Sequence, residues 1–187
     1  MVPIFCNFSG KLIMIEFEEI FDVYSVEGFD EVFYSSLPHL DAGNYHFENQ
    51  ALETPEEKLN FLKEKFHLFA RVENGRVFIV KKDGKLVRAV AGVLDDEDPG
   101  YVVWAYDLIG PDAAGSKSWV YGNKDPEFIR DHFNLKGYKM PVVYGGSEYN
   151  YHLNNTVPEN MVRDISDPHQ DPNNQDRYYS IITITFV

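Results

Sequence analysis

Arg76-Val77-Phe78-Ile79-Val80-Lys81-Lys82-Asp83-Gly84-Lys85-Leu86-Val87-Arg88-Ala89-Val90 decides the fold. Arg76 to Lys81 is β-branched and aromatic, and Lys82-Asp83-Gly84-Lys85 carries an Asp-Gly turn, a strong hairpin signal. Leu86 to Leu94 returns, and the acidic turn Asp95 to Gly100 leads into a third run, Tyr101 to Ile109. The expectation is three adjacent antiparallel strands. Upstream, Thr54-Pro55-Glu56-Glu57 combines an N-cap threonine, proline in the first turn and glutamate at the third position, which is a capping box. Behind it Leu59, Leu62, Phe66 and Phe69 form one apolar stripe, and Asn74-Gly75 supplies the stop.

Further upstream, Leu12 to Tyr24 reads as a strand, a helix, or one running into the other. Gly28 to Leu40 reads as a short helix with Phe29, Val32, Phe33 and Leu37 on one face, ended by Pro38. Asp41 to Asn49 reads as a loop. Downstream, Ile109 to Ser118 is a small-residue loop, and Asp125-Pro126 opens a helix over Glu127 to Leu135 that Gly137 stops. Met140 to Tyr144 reads as a strand. Gly145 to Asn155, rich in Tyr and Asn, has no evident structure, and Ser166 to Asp176 is polar and read as loop. Tyr178 to Val187 carries apolar groups on both faces, so it is expected to lie centrally in its sheet.

The length of 187 residues favours a single domain, here 1–187 with an N-terminal strand and helix region over 1–50. Seventeen Lys plus Arg against thirty Asp plus Glu give a formal charge of −13. Such a surface repels phosphate backbones and anionic headgroups, so neither nucleic acid nor membrane is an expected partner. One cysteine, Cys6, excludes an intrachain disulfide framework and a multi-thiolate zinc site. No window approaches the ~18 consecutive apolar residues of a membrane span. The N-terminus lacks a basic region followed by an apolar run of signal-peptide length. A cytoplasmic location is expected.

The order capped helix, Asp-Gly hairpin, long third strand, glycine-bearing loop, helix, strand and final strand resembles the Gcn5-related N-acetyltransferase (GNAT) family over roughly 54–187. The resemblance implies an α/β (α+β) fold, a mixed and mostly antiparallel central sheet flanked by helices. It also implies acetyl-CoA as co-substrate, its pyrophosphate lying on backbone N–H groups of a loop that opens a helix. The family's loop reads Gln/Arg-x-x-Gly-x-Gly/Ala. Its nearest match is Asp112-Ala113-Ala114-Gly115-Ser116-Lys117, where Gly115 agrees, Asp112 replaces a cation or amide, and Lys117 replaces a small residue. On that alignment Leu108, Ile109, Gly110, Ala114, Gly115, Ser116 and Lys117 are the candidate cofactor-binding residues, and backbone donors at Leu108 to Gly110 polarise the thioester. His132 to Tyr138 also resembles the family's Tyr-x-x-x-Gly-Phe segment at its last core helix. If it is instead the preceding helix, Met140 to Tyr144 is the fifth core strand.

In that family a tyrosine can protonate the departing CoA thiolate, and a Glu or His can accept the amine proton. Tyr151 or Tyr149 is the candidate acid, within the dense segment Tyr144, Glu148, Tyr149, Asn150, Tyr151 and His152. Asp107 is a candidate base or amine ligand. The implied reaction moves an acetyl group to a primary amine of a small molecule without a covalent enzyme intermediate, and acidic residues near mid-chain suit a cationic amine. A homodimer is left open. An alternative reading is the same fold without catalysis, as a binding or assembly module.

Other constellations carry less. Gly110 to Ser118 resembles a phosphate-cradling loop, but Ser116 separates Gly115 from Lys117. His39-Leu40-Asp41 and His169-Gln170-Asp171 have the spacing of two-His-one-carboxylate iron sites; His152 with Arg163 could serve the first, whereas His169 comes too late in the chain for a downstream partner. Asp167, Asp171, Asn173 and Asp176 cluster carboxylates without the glycine that a calcium loop needs. No metal site is expected from either.

Overall fold

The computed structural model of the chain describes residues 2–8, 11–43, 47, 51–111, 124–172 and 174–187. They form two compact units, Met1–Gly92 with Tyr106–Gly122, and Val93–Ala105 with Asn123–Val187. Two strands pass through both.

In the first unit β1 (Val2–Phe8) pairs antiparallel with β2 (Lys11–Glu19), and β2 pairs antiparallel with β3 (Gly75–Lys82). Next come β4 (Lys85–Leu94) and β5 (Tyr101–Ile109). The β3–β4 turn has Asp83 at φ 50° and Gly84 at φ 80°, the left-handed pair of a tight hairpin turn. Asp83 is also tied to β2. Its N–H donates to the Met14 carbonyl at 2.8 Å, and its Oδ1 accepts the Met14 N–H at 3.0 Å.

A single 3-10 turn over Val23–Ser25 leads into α1 (Phe29–Gly43), and α2 is Pro55–Arg71. The capping box is complete. The Thr54 hydroxyl accepts the Glu57 N–H, and the Glu57 carboxylate accepts from the Thr54 N–H at 2.8 Å. Leu59, Leu62 and Phe66 are buried as the stripe requires, with the Phe29 ring edge-on to Phe66 at 5.2 Å. One core contains Phe29, Val32 and Phe33 of α1, Leu62 and Phe66 of α2, and Val77, Ile79, Ala89 and Leu108 of the strands.

Pro38 does not end α1, which runs on to Gly43. Proline costs the helix one hydrogen bond and some strain. Burial of Leu40 beyond it (6% exposed) offsets that cost.

In the second unit β5 pairs in parallel with β6 (Gly137–Val143), and β6 pairs antiparallel with β9 (Asn174–Phe186). β7 (Met161–Ile165) and β8 (His169–Asp171) both pair antiparallel with β9. β9 therefore lies between strands, as its two apolar faces predict, and the sheet is mixed. The polar stretch 166–176 is not all loop. It builds β8 and the start of β9, where Arg177 faces the buried Asp171 at 3.8 Å and the Gln170 side chain donates to the Gln175 carbonyl.

The helices here are α3 (Lys124–Phe133) and α4 (Ser147–Asn154). α4 lies within the tyrosine-rich segment whose structure the sequence left open. Because α3 is followed by the strand parallel to β5, and α4 comes later, His132 to Tyr138 is not the end of the last helix. Gly137 and Tyr138 begin β6, the fifth core strand of the alternative alignment. At Gly137 a Cβ would lie 2.0 Å from the Ile184 carbonyl oxygen, so β9 approaches β6 too closely there for any side chain.

Candidate active site

The ladder between β5 and β6 covers three residue pairs, Tyr101↔Gly137 to Val103↔Lys139. Both strands continue past it, β5 to Ile109 and β6 to Val143. Among the described residues, the parallel ladder along this edge of β5 stops at Val103.

The end of that edge is held by α1. The Ser36 hydroxyl accepts the Ile109 N–H at 2.6 Å and donates to the Ile109 carbonyl at 3.0 Å. Gly110 N–H donates to the Val87 carbonyl of β4 at 2.8 Å. Successive strand residues direct their peptide groups to opposite edges. Of the expected donors Leu108, Ile109 and Gly110, Ile109 is thus the one that faces away from β4. A Cβ on Gly110 would lie 2.9 Å from Val32 Cγ2, one helical turn before Ser36, so α1 rests directly on the end of β5.

Asp107 sits on β5 in a two-pronged pair with Arg88 of β4, at 2.7 Å to Arg88 Nε and 2.6 Å to Nη2. Both carboxylate oxygens accept from the guanidinium, the geometry in which such a pair is strongest. Any amine that reaches Asp107 meets a carboxylate with Arg88 already on both oxygens. Sequence reasoning missed Ser36 and Arg88. The signal for Ser36 was present, since it is the one polar residue in the buried stripe Phe29, Val32, Phe33, Ser36 and Leu40.

In the second unit α4 carries both candidate tyrosines. Tyr149 packs its ring on Tyr144 at 4.9 Å, while Tyr151 lies edge-on to His152 at 5.3 Å. Burial first, and the nearby Glu148 carboxylate second, push the Tyr151 hydroxyl above the ordinary tyrosine range. His152 is 3% exposed, with Nε2 at 3.4 Å from Glu148 Oε1 one turn away.

The pyrophosphate-loop candidates Ala114, Gly115, Ser116 and Lys117 lie outside the described residues, as do positions 112–118 of the phosphate-loop near-match and Asn173. Among the described residues no three of His, Cys, Asp and Glu come together in metal-binding geometry. His39 is exposed, the His169 ring lies tilted against Tyr179 at 5.7 Å, and Arg163 donates to the Asn155 carbonyl. Asp167 and Asp176 are exposed. No described helix is long and apolar enough to cross a membrane.

The first unit also has a groove of about 740 Å³ whose walls include Glu18, Glu19, Asp22, Glu27 and Glu31. Lys81 pairs with Glu18 at 2.8 Å within it. Pro111, two residues beyond Ile109, lines the same groove.

The fold has counterparts among solved structures. The chain is similar to a protein from Desulfovibrio desulfuricans assigned as an acetyltransferase of the GNAT family, at 9% identity and a TM-score of 0.57. That match covers 91% of this chain and 98% of the other. It is similar to spermidine N-acetyltransferase from Vibrio cholerae, solved with CoA and spermine, at 13% identity and a TM-score of 0.57, covering 92% and 95%. An acetyltransferase from Thermus thermophilus matches at 11% identity and a TM-score of 0.56, covering 90% and 95%. No family model and no curated protein matches the sequence. At such identities the likeness shows the fold, and the fold is that of the GNAT acetyltransferases.

Proposed function

We infer that the chain is an N-acetyltransferase that moves the acetyl group of acetyl-CoA to a primary amine of a small molecule. The observation that carries this reading is the parallel β5–β6 ladder that stops at Val103 while β5 runs on to Ile109, in a fold shared with acetyltransferases. A ligand carrying amides can complete such an edge as another strand would. Leu108 to Gly110 and the segment 114–117 remain the proposed cofactor contacts.

In the proposed reaction the neutral amine attacks the thioester carbonyl and forms the C–N bond. The tetrahedral oxyanion collapses, the C–S bond breaks, and Tyr151 delivers its proton to the departing thiolate. Water at the α4 surface then returns a proton to Tyr151, and the proton shed by the attacking nitrogen passes to Glu148 or to solvent. A carboxylate-walled groove bordered by Pro111 favours a cationic acceptor, because its carboxylates outnumber its lysines. The neighbour solved with spermine fits that class.

A specific observation favours a second reading, a binding module without catalysis. Ile109 and Gly110 N–H groups are already bonded within the chain, and Asp107 is held by Arg88.

Two measurements separate the readings. Acetyl-CoA at one hundred times its dissociation constant should stabilise the protein by about 2.7 kcal/mol in thermal unfolding. CoA release should then be followed with a panel of diamines and polyamines. Stabilisation with turnover supports the transferase. Stabilisation without turnover supports the binding module, and no stabilisation removes acetyl-CoA from the reading.

A further inference from the structure

We propose that Ser36 is an internal competitor for the ligand's amide, closing the Ile109 end of β5 until a donor–acceptor pair from the ligand replaces it. This rests on the acetyl-CoA reading above and adds a specificity-determining residue to it. Ser36 is 4% exposed, and its hydroxyl bonds both polar groups of one residue, the N–H at 2.6 Å and the carbonyl at 3.0 Å. A neighbouring strand or a secondary amide could supply the same two partners. The residue it closes faces away from β4, as the Gly110 bond to Val87 fixes. Val32, one turn earlier, sits within 2.9 Å of where a Gly110 Cβ would be, so the helix position that delivers the hydroxyl is set by close packing. Pro38 sits two residues after Ser36, inside the helix, and its missing N–H leaves the Tyr34 carbonyl without its usual intrahelical donor. α1 is therefore weakest in the turn that carries Ser36, where a small displacement would release Ile109.

The pantetheine arm of acetyl-CoA carries secondary amides, each with a carbonyl to accept the Ile109 N–H and an N–H to donate to its carbonyl. In the ligand-free protein Ser36 satisfies Ile109. With the ligand bound, the hydroxyl must turn away. Removing it leaves the ligand-free backbone unsatisfied and the bound state unaffected, so the substitution lowers ligand-free stability and raises affinity together.

The test is calorimetric titration of acetyl-CoA into wild type, Ser36→Ala and Ser36→Thr, with hydrogen exchange of the Ile109 amide followed in each. Ser36→Ala should bind about tenfold more tightly, melt lower without ligand, and exchange its Ile109 amide faster until acetyl-CoA protects it. Ser36→Thr keeps the hydroxyl and should stay near wild type. Ser36→Cys, with a weaker partner, should fall between and covers the case in which the alanine variant does not fold. Wild-type binding with equal or weaker affinity in the folded alanine and cysteine variants overturns the proposal and leaves the transferase reading intact. Binding by the alanine variant alone supports it, whereas binding by neither wild type nor any variant overturns both.

Discussion

Tyr151 must be protonated to act as an acid, and its surroundings keep it so. Burial is the larger cause and Glu148 the smaller, and both raise its pKa above the ordinary value near 10. The protonated form is therefore the available one throughout the neutral and mildly alkaline range, and any loss of kcat through Tyr151 ionisation falls above about pH 10. Tyr151→Phe should lower kcat by about a hundredfold with the KM for acetyl-CoA little changed. Tyr149→Phe, whose ring packs on Tyr144, serves as the comparison, and an equal loss there would shift the acid role. The sequence marked both tyrosines but could not rank them. Two residues apart on a helix, they point roughly 200° from each other, and the helix itself was not legible in a segment dense in Asn and Tyr. The partners of Asp107 and Ile109 were hidden for a different reason. Arg88 and Ser36 are separated from them by 19 and 73 residues, and such pairings follow from strand register and helix packing rather than from local pattern.

At the scale of elements, local chemistry was legible wherever it is self-contained. The Thr54 capping box, the stripe behind it and the Asp-Gly turn were each readable because their partners lie within a few residues. Thr54→Ala should cost about 1 kcal/mol of stability, read as a shift in the urea midpoint with an unchanged slope. Glu57 accepts from the Thr54 backbone and hydroxyl, and these contacts hold its carboxyl below the usual range. Elements decided by distant packing were read less well. Pro38 lies inside α1 because the core beneath accepts Leu40. The polar residues of β8 form a strand because β9 offers them an edge. α3 was assigned to either of two places, and its parallel neighbour β6 decided between them.

For the molecule as a whole, the excess of carboxylates makes acid the informative perturbation. In the second unit Asp95 is held below its ordinary range, chiefly by its hydrogen bond from Lys139 and then by the Glu97 backbone. Asp98 is likewise lowered, first by the Gly100 N–H and then by Lys136. A depressed folded pKa contributes stability above the unfolded value near 3.9, and this is lost as pH falls through the folded one. Urea midpoints should therefore stay level above about pH 5 and drop below about pH 4. Asp95→Asn should flatten part of that drop; an unchanged profile would show that the pair adds nothing to acid stability. The excess of carboxylates followed from composition, and the mixed sheet from the resemblance in the order of elements. Whether the edge of β5 receives acetyl-CoA did not, because that depends on which peptide groups are already engaged.

The pair of hydrogen bonds between Asp83 and Met14, one in each direction, has a practical consequence. A two-residue hairpin tip is ordinarily where a chain can be cut, lengthened or circularly permuted without harm. Here the tip is sewn to a third strand, so new termini opened between Asp83 and Gly84 would loosen β2 along with the hairpin, and a tag or graft belongs at another loop.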